Sequence, residues 1–405
     1  MKRFLQKPAV KWILLGFPLL AFLLFTARLL KRNSDVSISD NKELSGNTVS
    51  GKDEKNTSVI EKEAHAMPLF TKWQTFTSQD GLPSDKANCV RMDGDRVLVG
   101  TDAGLAVYEN QQWKVYTTED GLTHGNILSI DIDPETGDVW LATMSGLTRW
   151  SAGKFQKYTQ FNSGLANDVV YSVICDGKYV WTATAAGVCG LNTHTGQWLI
   201  INEQNSPLHE PWTYGVCKGE GDKIYIAAWG GGVVEYNKVT GHFRDHRDPD
   251  GEGEIDLFPD DGIVHDITTM VSYQNNMLWV STYFGLSRYD GVHWNSYFDH
   301  DSGLASNFIN YIKADGKIVY ICSDNGLSTF DGSTWVTYRT QENSSRGEAI
   351  VTQGSQVKKI TTTTSLSNNF IWGVDIREDE IWVATAKGVC YAKGTGKANQ
   401  QSTQL

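Results

Sequence analysis

One unit recurs seven times after Trp73, and this repetition constrains the fold more than any other feature of the sequence. Each unit opens with Gly-Leu or a related pair, contains two short apolar strands, and reaches a glycine 22 or 24 residues after its opening apolar residue. The opening apolar residues are Leu82, Leu122, Leu165, Leu208, Ile263, Leu304 and Leu366. The glycines are Gly104, Gly146, Gly187, Gly232, Gly285, Gly326 and Gly388. Such regular spacing indicates an array of one repeated supersecondary unit.

The end of the last unit indicates that the array is a closed ring. Six units finish with a fourth strand that begins with Trp or Phe, whereas the seventh stops at Tyr391 without one. The motif WQTF at residues 73–76 precedes the first unit and supplies the missing strand. We therefore predict an all-β, seven-bladed β-propeller over residues 68–395, closed by an N-terminal outer strand, with a disordered tail at 396–405. The alternative, a β-solenoid, does not explain a stray fourth strand at the start.

The first 67 residues differ in character from the repeats. An uncharged run from Trp12 to Ala27, flanked by basic residues, predicts a single transmembrane helix within an N-terminal membrane anchor at 1–32. A cleaved signal peptide is the rival interpretation, although no small-x-small site follows the run. Residues 33–67 are polar and mixed in charge, which is typical of a flexible linker. We expect a single-pass membrane protein with the propeller on the extracytoplasmic side, either periplasmic or extracellular.

The charge of the repeat region excludes one class of partner. Residues 68–405 carry 25 basic and 40 acidic side chains, a net charge of −15. A region this acidic repels phosphate backbones, so we expect no nucleic-acid partner. The six cysteines form no Cys-x-x-Cys pair, and we expect buried, inert thiols.

The repeat resembles a known family. The consensus Gly-Leu-x-x-Asn/Asp, then Trp-x-Ala-Thr-x-x-Gly-Leu, is carried in the second unit by Leu122, Trp140, Ala142, Thr143, Gly146 and Leu147. It is similar to the two-component-regulator propeller repeat, which occurs in extracytoplasmic sensor regions of bacterial histidine kinases. The resemblance covers residues 73–392 and implies a sensor-type β-propeller.

Strand order predicts which face of the propeller binds a ligand. Because consecutive strands are antiparallel, the Gly-Leu turns and the loops between strands two and three share one face, the Gly-Leu face. The two longest connections between units, Phe243 to Ile263 and Trp335 to Leu366, are predicted to lie there too. Insertions on one face of a repeat protein commonly mark its binding face.

Aromatic residues are concentrated on this face in units four and five. Trp229, Tyr283 and Phe284 replace small or polar residues of the Thr-x-x-Gly turn, and Trp212 stands at the start of the inner strand of unit four. They predict either a stacking platform for a flat ligand or packing between blades.

Polar residues two and three positions beyond the opening apolar residue form a second candidate set. They are His124, Asn167, Asp168, Glu210, His265, Asp266, Asn307, Asn368 and Asn369. Such residues either bind a ligand near the channel or cap turns. His124, Glu210 and His265 depart from the turn pattern and suggest metal binding or acid–base chemistry.

An acidic insertion resembles the start of a calcium loop. Its acidic residues are Asp248, Asp250, Glu252 and Asp256, but the twelfth position is Pro259 rather than Glu. The segment 248–261 is therefore either a calcium site or an acidic surface loop, and we expect no other cofactor.

Three functions follow from these patterns. The first is a membrane-tethered, sensor-like propeller, without its own kinase output, that binds a small polar ligand such as a saccharide, or a membrane signalling or envelope protein. The second is an enzyme of the streptogramin-lyase type, using a metal at the channel mouth. The third is a scaffold for an envelope complex. The fold alone does not choose among them.

Overall fold

The computed structural model describes residues 67–249, 262–341 and 344–394, and it confirms the seven-bladed propeller. Within these ranges, thirty strands form seven antiparallel sheets, one for each blade. The predicted anchor at 1–32, nearly all of the linker and the tail at 396–405 lie outside the described residues. No helix in the described part of the chain is long and apolar enough to span a membrane.

The blades follow one another in chain order. A short 3-10 helix, Ser78–Asp80, follows the first strand. The strands are β1 Trp73–Phe76; blade 1, β2 Ala87–Asp93, β3 Arg96–Thr101, β4 Leu105–Glu109, β5 Gln112–Tyr116; blade 2, β6 Ile127–Ile132, β7 Val139–Thr143, β8 Gly146–Ser151, β9 Lys154–Tyr158; blade 3, β10 Val170–Asp176, β11 Tyr179–Thr184, β12 Gly187–Asn192, β13 Trp198–Ile201; blade 4, β14 Thr213–Lys218, β15 Lys223–Ala228, β16 Gly232–Asn237, β17 Phe243–His246; blade 5, β18 Thr268–Gln274, β19 Met277–Thr282, β20 Leu286–Tyr289, β21 Trp294–Tyr297; blade 6, β22 Ile309–Asp315, β23 Ile318–Ser323, β24 Gly326–Phe330, β25 Thr334–Thr340, β26 Gly347–Gln353, β27 Gln356–Thr361; and blade 7, β28 Ile371–Arg377, β29 Glu380–Thr385, β30 Gly388–Lys393.

The N-terminal strand closes the ring, as the sequence predicts. Strand β1 pairs antiparallel with β30, with Trp73 opposite Ala392 and Phe76 opposite Val389. The residues just before β1 are also part of the fold, because Met67 and Phe70 are fully buried. Blade 7 is therefore built from both ends of the propeller sequence, and no edge of β30 is left open beside β1.

The hydrophobic core is divided among the seven interfaces between neighbouring blades. Each interface holds its own cluster of buried apolar side chains, contributed by the two blades on either side. Each fully buried Val, Leu or Ile side chain contributes roughly 1.5–3 kcal/mol relative to an exposed one. The ring is consequently held together by face-to-face packing of sheets, since hydrogen-bonded strand pairs lie within blades.

The glycine that begins or precedes each third strand has a conformational reason, shown by Gly146. Its φ is 110°, in the region that favours glycine, and an added Cβ would lie 2.6 Å from the carbonyl oxygen of Tyr158. Its N–H donates to the carbonyl oxygen of Asp168 at 2.6 Å, which links blade 2 to the turn leading into blade 3. The repeated glycine therefore allows a turn and an inter-blade hydrogen bond at one position.

The long connection from Trp335 to Leu366 differs from the prediction. It was expected as an insertion on the Gly-Leu face, but most of it forms the hairpin β26–β27, which extends blade 6 outward to six strands. The hairpin turn at Gly354 lies at the opposite face, because β26 and β27 continue the antiparallel order of the blade. Strand β27 is almost entirely exposed, so it lacks the alternation of apolar and polar residues that marks a strand in a sequence.

Candidate functional site

The first strand of every blade begins with a β-bulge at the Gly-Leu face. First strands of neighbouring blades contact one another around the axis, so this end of the strand borders the mouth of the channel. The bulged residues are Asn88, Leu128, Tyr171, Tyr214, Thr269, Asn310 and Trp372. Side chains along a strand alternate between the two faces of the sheet, and a bulge turns one side chain out of this alternation. The sevenfold repetition therefore produces a ring of redirected side chains at the mouth.

Polar members of this ring connect neighbouring blades. The Asn88 amide nitrogen donates to the carbonyl oxygen of Ile127 at 3.0 Å. The Asn310 amide donates in the same way to Ile371 at 2.9 Å. The bulged position therefore reaches the next blade.

A second set of residues borders the same mouth from the loops between strands two and three. Its members directly follow the second strand: Asp102, Met144, Ala185, Trp229, Tyr283, Asp324 and Ala386. The Trp229 N–H donates to the carbonyl oxygen of Trp212 at 2.9 Å, which fixes the loop against the start of the innermost strand. Two aromatic residues, Trp229 and Tyr283, therefore occupy places that carry small, aliphatic or acidic side chains in the other five blades.

Five aromatic rings form a continuous row across blades 3 to 6, which we name the aromatic arc. Its ring centroids are 4.3 Å apart for Tyr171 and Tyr214, and 5.1 Å apart for Tyr214 and Trp229. Trp229 meets Tyr283 edge-on at 4.9 Å, and Tyr283 stacks on Phe308 at 4.0 Å. The arc combines two predicted residues, Trp229 and Tyr283, with three that the sequence analysis did not single out.

Exposure differs along the aromatic arc. Tyr283 is buried, and burial together with the nearby Asp324 carboxylate raises its pKa. Burial also raises the pKa of Tyr214 well above its usual value. Trp229 is half-buried and is the largest ring of the arc with an accessible part. Both phenols consequently stay neutral at physiological pH and can donate or accept hydrogen bonds.

The remaining predicted aromatic residues lie near the arc. Trp212 is half-buried and receives the backbone hydrogen bond from Trp229. Phe284 stacks instead on His265, with ring centroids 4.1 Å apart. Their part in ligand binding stays a prediction.

The predicted residues at the second position beyond the opening apolar residue have a local structural role. His124 and His265 accept the N–H two residues ahead through Nδ1, each at 2.9 Å. Asn167 does the same through its side-chain oxygen at 2.8 Å. Glu210 occupies the equivalent place in blade 4. Each of the three side chains with an identified bond caps its own turn, which uses one polar atom and leaves the rest of the side chain for other contacts.

The predicted residues at the third position anchor the preceding connection. Asn307 accepts from the N–H of Asp299 at 2.8 Å. Asp266 accepts from the N–H of Asp248 at 2.9 Å and forms an ion pair with Arg247. These side chains hold the loops that enter blades 6 and 5.

The predicted calcium loop is only partly covered by the structure. Asp248 is buried, whereas Asp250, Glu252 and Asp256 lie outside the described residues. Among the residues that are described, no group of three or more His, Cys, Asp or Glu side chains could hold a metal ion. Calcium binding at 248–261 therefore stays a prediction.

The opposite side of the mouth, in blades 7, 1 and 2, is more polar. The amide of Asn88 donates to that of Asn126 at 2.8 Å. The ammonium group of Lys86 lies 5.4 Å from the ring of Trp372 in a cation–π contact. The mouth thus has one side with five contiguous rings and another where amide and ammonium groups accompany the pair Phe370 and Trp372, whose ring centroids are 4.6 Å apart.

An ionic network lies further along the innermost strands. Arg91 of blade 1 pairs with Asp131 of blade 2 and lies 3.9 Å from Asp375 of blade 7. Lys313 of blade 6 also pairs with Asp375. Burial alone would lower the pKa of Arg91, but the two carboxylates raise it, so the guanidinium stays charged. Four successive blades are therefore linked by alternating charges.

Comparisons with known proteins place this chain in a structural class. No family model matches it, and no curated protein matches it. The extracellular domain of a proposed hybrid two-component system from B. thetaiotaomicron is 18% identical, with a TM-score of 0.60 over 80% of this chain and 42% of that one. A second such domain from the same organism is 15% identical, with a TM-score of 0.60 over 81% and 40%.

An enzyme shares the fold as well. Virginiamycin B lyase from Staphylococcus aureus is 10% identical, with a TM-score of 0.56 over 80% of this chain and 99% of that one. This chain spans about two-fifths of the length of the two-component domains. At sequence identities this low, the structural similarity shows the β-propeller fold alone. The function has to be argued from the chain's own site.

Proposed function

We propose that this chain is a sensor-type β-propeller, held outside the cytoplasm by a membrane anchor in residues 1–32. The uncharged run Trp12 to Ala27 supports the anchor. The extracellular domains of two-component systems that share the fold support the extracytoplasmic location and the sensing role. Protease accessibility in intact cells tests this topology: the propeller should be cleaved from outside, and protection until lysis would contradict it.

We propose that the sensed ligand binds at the aromatic arc. The observation that carries this proposal is the continuous row of five rings in contact across blades 3 to 6 at one side of the mouth. In the other five blades, the places of Trp229 and Tyr283 carry small, aliphatic or acidic residues. Because Tyr283 is buried, we infer that it forms the base of this site. Half-buried Trp229 is then the ring on which a ligand stacks.

The chemistry of the mouth favours a saccharide. A sugar ring has a flat face of C–H groups for stacking and hydroxyl groups around its edge. The arc supplies the stacking surface, while the phenol of Tyr214 and the polar side chains of Asn88 and Asn126 supply hydrogen-bonding groups at the same mouth. Each stacked ring contributes about 0.5–1.5 kcal/mol beyond simple area burial. A neutral ligand avoids the cost of placing a charge on the aromatic side.

An array of neutral and acidic oligosaccharides, probed with the full chain, tests the proposal. Any bound saccharide is then titrated against Trp229→Ala and against Trp372→Ala, a matched control at the same face on the opposite side of the mouth. We expect Trp229→Ala to weaken binding about tenfold and Trp372→Ala to leave it nearly unchanged. Equal affinities for the two variants, or unfolding of Trp229→Ala, would show that the arc serves packing.

We also propose that occupancy of the site is transmitted to a membrane signalling or envelope protein. The similarity to sensor domains supports this partner class. Cross-linking in cells with and without the saccharide found on the array, followed by affinity purification, tests it. A partner whose recovery changes with the saccharide supports transmission, and recovery of no membrane protein in either state would contradict it.

A further inference from the structure

All seven interfaces between blades share one outer feature, which we name the ring slot. It lies between the last apolar or aromatic residue of one blade's fourth strand, which is a ring in every blade except blade 3 (Ile201), and the aromatic residue that begins the next blade's fourth strand. The residue facing the slot is the fourth after the repeated glycine: Tyr108, Trp150, Leu191, Tyr236, Tyr289, Phe330 and Ala392. In blade 2, for example, Trp150 packs between Tyr116 at 5.0 Å and Phe155 at 5.6 Å. Five blades thus fill their slot with their own ring.

The slot between blades 6 and 7 is filled from another part of the chain. Ala392 is too small to occupy it, and Phe70 lies there instead. The Phe70 ring is 5.8 Å from that of Tyr338 and 5.7 Å from that of Trp73. The Phe70 N–H also donates to the Tyr338 hydroxyl at 3.3 Å. A segment outside the repeats therefore supplies the missing ring.

The slot between blades 2 and 3 is filled by an aliphatic side chain instead of a ring. Leu191 stands where five blades carry an aromatic residue, and a groove of about 400 Å³ lies beside it. Tyr158 and Trp198 line the groove, at the places that Tyr338 and Trp73 take around Phe70. The groove therefore lies against the two aromatic walls of the Phe70 site, where blade 3 supplies only the buried aliphatic side chain of Leu191 and no third ring.

The groove also has a charged wall. Arg149 lines it, pairs with Asp138, and lies 5.6 Å over the ring of Trp140. A guanidinium held this way presents a planar surface on which an aromatic ring can stack. The groove is thus suited to a neutral aromatic ring.

An exposed aromatic residue lies directly beside this groove. Phe161 is 97% exposed, the highest value among the large apolar side chains that the structure describes. It precedes Asn162, which lines the groove. The equivalent turn residues before other blades are Gln79, Glu119, Gln204 and His300. A fully exposed Phe at a place that is polar in those other turns leaves an aromatic ring available to a partner, directly beside the apolar side chains that line the groove.

We propose that the groove receives Phe161 from a second copy of this chain. The Phe161 ring and the groove are neighbours on one surface. A two-fold axis between them therefore places the Phe161 of each copy in the groove of the other copy. The occupant is the same residue type that fills the equivalent slot between blades 6 and 7. The contact is small, so the dimer is weak and forms at high local concentration, as on a membrane surface.

Sedimentation of the full chain in detergent solution tests the proposal from both sides of the contact. Wild type should dimerise as its concentration rises to about 100 μM. Phe161→Ser removes the inserted ring, and Leu191→Tyr fills the groove that receives it. Each substitution should weaken dimerisation at least about tenfold. Val292→Ser, which removes another exposed apolar side chain from blade 5, is the matched control and should have no effect.

Photocross-linking identifies the contact itself. A benzophenone amino acid at position 161, in an equal mixture of isotopically labelled and unlabelled chains, should link labelled to unlabelled peptides that contain 149–158 or 191–198. A monomer at every concentration would overturn the proposal. A dimer that survives both Phe161→Ser and Leu191→Tyr would overturn it equally, because its interface would lie elsewhere.

Discussion

The interfaces between blades 6 and 7 and between blades 2 and 3 are built from equivalent strands, yet of these two only the first holds a third aromatic ring at its outer edge. Tyr338 and Trp73 enclose Phe70, whereas Tyr158 and Trp198 stand beside a groove. Both interfaces have aromatic walls from their fourth strands. What fills the slot depends on one side chain, the fourth after the repeated glycine. One small residue in a blade is therefore enough to create a place where another segment can bind.

The largest effect on folding should come from removing both Phe70, which fills the blade 6–7 slot, and strand β1, which closes the ring. Deleting residues 1–80 takes away Phe70 and β1, which exposes the edge of β30 and empties the slot. We expect aggregation and no cooperative unfolding transition, whereas deletion of 1–66 should leave a cooperatively unfolding protein. Urea denaturation followed by circular dichroism measures the difference. If both truncated proteins unfold at the same urea concentration, ring closure does not hold the fold together.

One Phe→Ala substitution beside each interface should show different losses in the free energy of unfolding. Phe70 is fully buried, so Phe70→Ala should lower the free energy of unfolding by about 3–5 kcal/mol. Phe161→Ala removes the same atoms from a fully solvated position and should change the free energy of the monomer by less than about 0.5 kcal/mol. Urea titrations at low protein concentration provide both values. Similar losses for the two variants would contradict the comparison.

The interface between blades 4 and 5 contains a titratable ring at the place of Tyr158 and Tyr338. His246 lies 5.2 Å from Tyr289 and 5.5 Å from Trp294, and burial, with a further contribution from Arg244, lowers its pKa to about 4. The unfolded chain therefore binds a proton more readily, and stability is fully present above about pH 6.5 and lost as the pH falls toward 4.

Comparing wild type with His246→Phe isolates this contribution. Wild type should lose about 1–3 kcal/mol more than the variant between pH 7 and pH 4. The free energy of unfolding at each pH gives the difference. Parallel pH profiles for the two proteins would show that His246 does not titrate across this interface.

The smallest effect should come from placing a ring in the slot between blades 2 and 3. Leu191→Tyr restores the ring that most blades carry, and filling the groove should raise the free energy of unfolding of the monomer by about 0.5–2 kcal/mol. Differential scanning calorimetry at low protein concentration measures it. A lower melting temperature would mean that the walls around Leu191 have relaxed to fit the smaller side chain.

The sequence predicts the fold well because every blade repeats the same local signals. The glycines with positive φ, the opening apolar residues and the stray strand at 73–76 all have a direct structural counterpart. The hairpin β26–β27 was missed because strand β27 is solvated on both faces and has no apolar alternation. A Gln-Gly-Ser turn at 353–355 was the available signal.

The candidate site was predicted less completely. Trp229 and Tyr283 were found because they break the turn consensus, but Tyr171 and Tyr214 occupy bulges that interrupt the period-two pattern. Aligning the seven repeats at the sixth residue after the opening apolar residue would have found both tyrosines. The capping role of His265 could not be separated from ligand binding without its 2.9 Å bond to Ile267.

Closure of the ring by β1 also affects how the chain folds during its synthesis. Trp73 is among the first residues of the propeller to leave the ribosome, yet its partner Ala392 is among the last. At a synthesis rate of about 5–20 residues per second, the strand waits roughly 20–60 s for its partner. Until blade 6 has been synthesised, Met67, Leu69 and Phe70, all buried in the finished ring, have no blade to pack against. The nascent chain therefore displays an apolar segment for nearly its whole synthesis, and this segment is where a chaperone would bind.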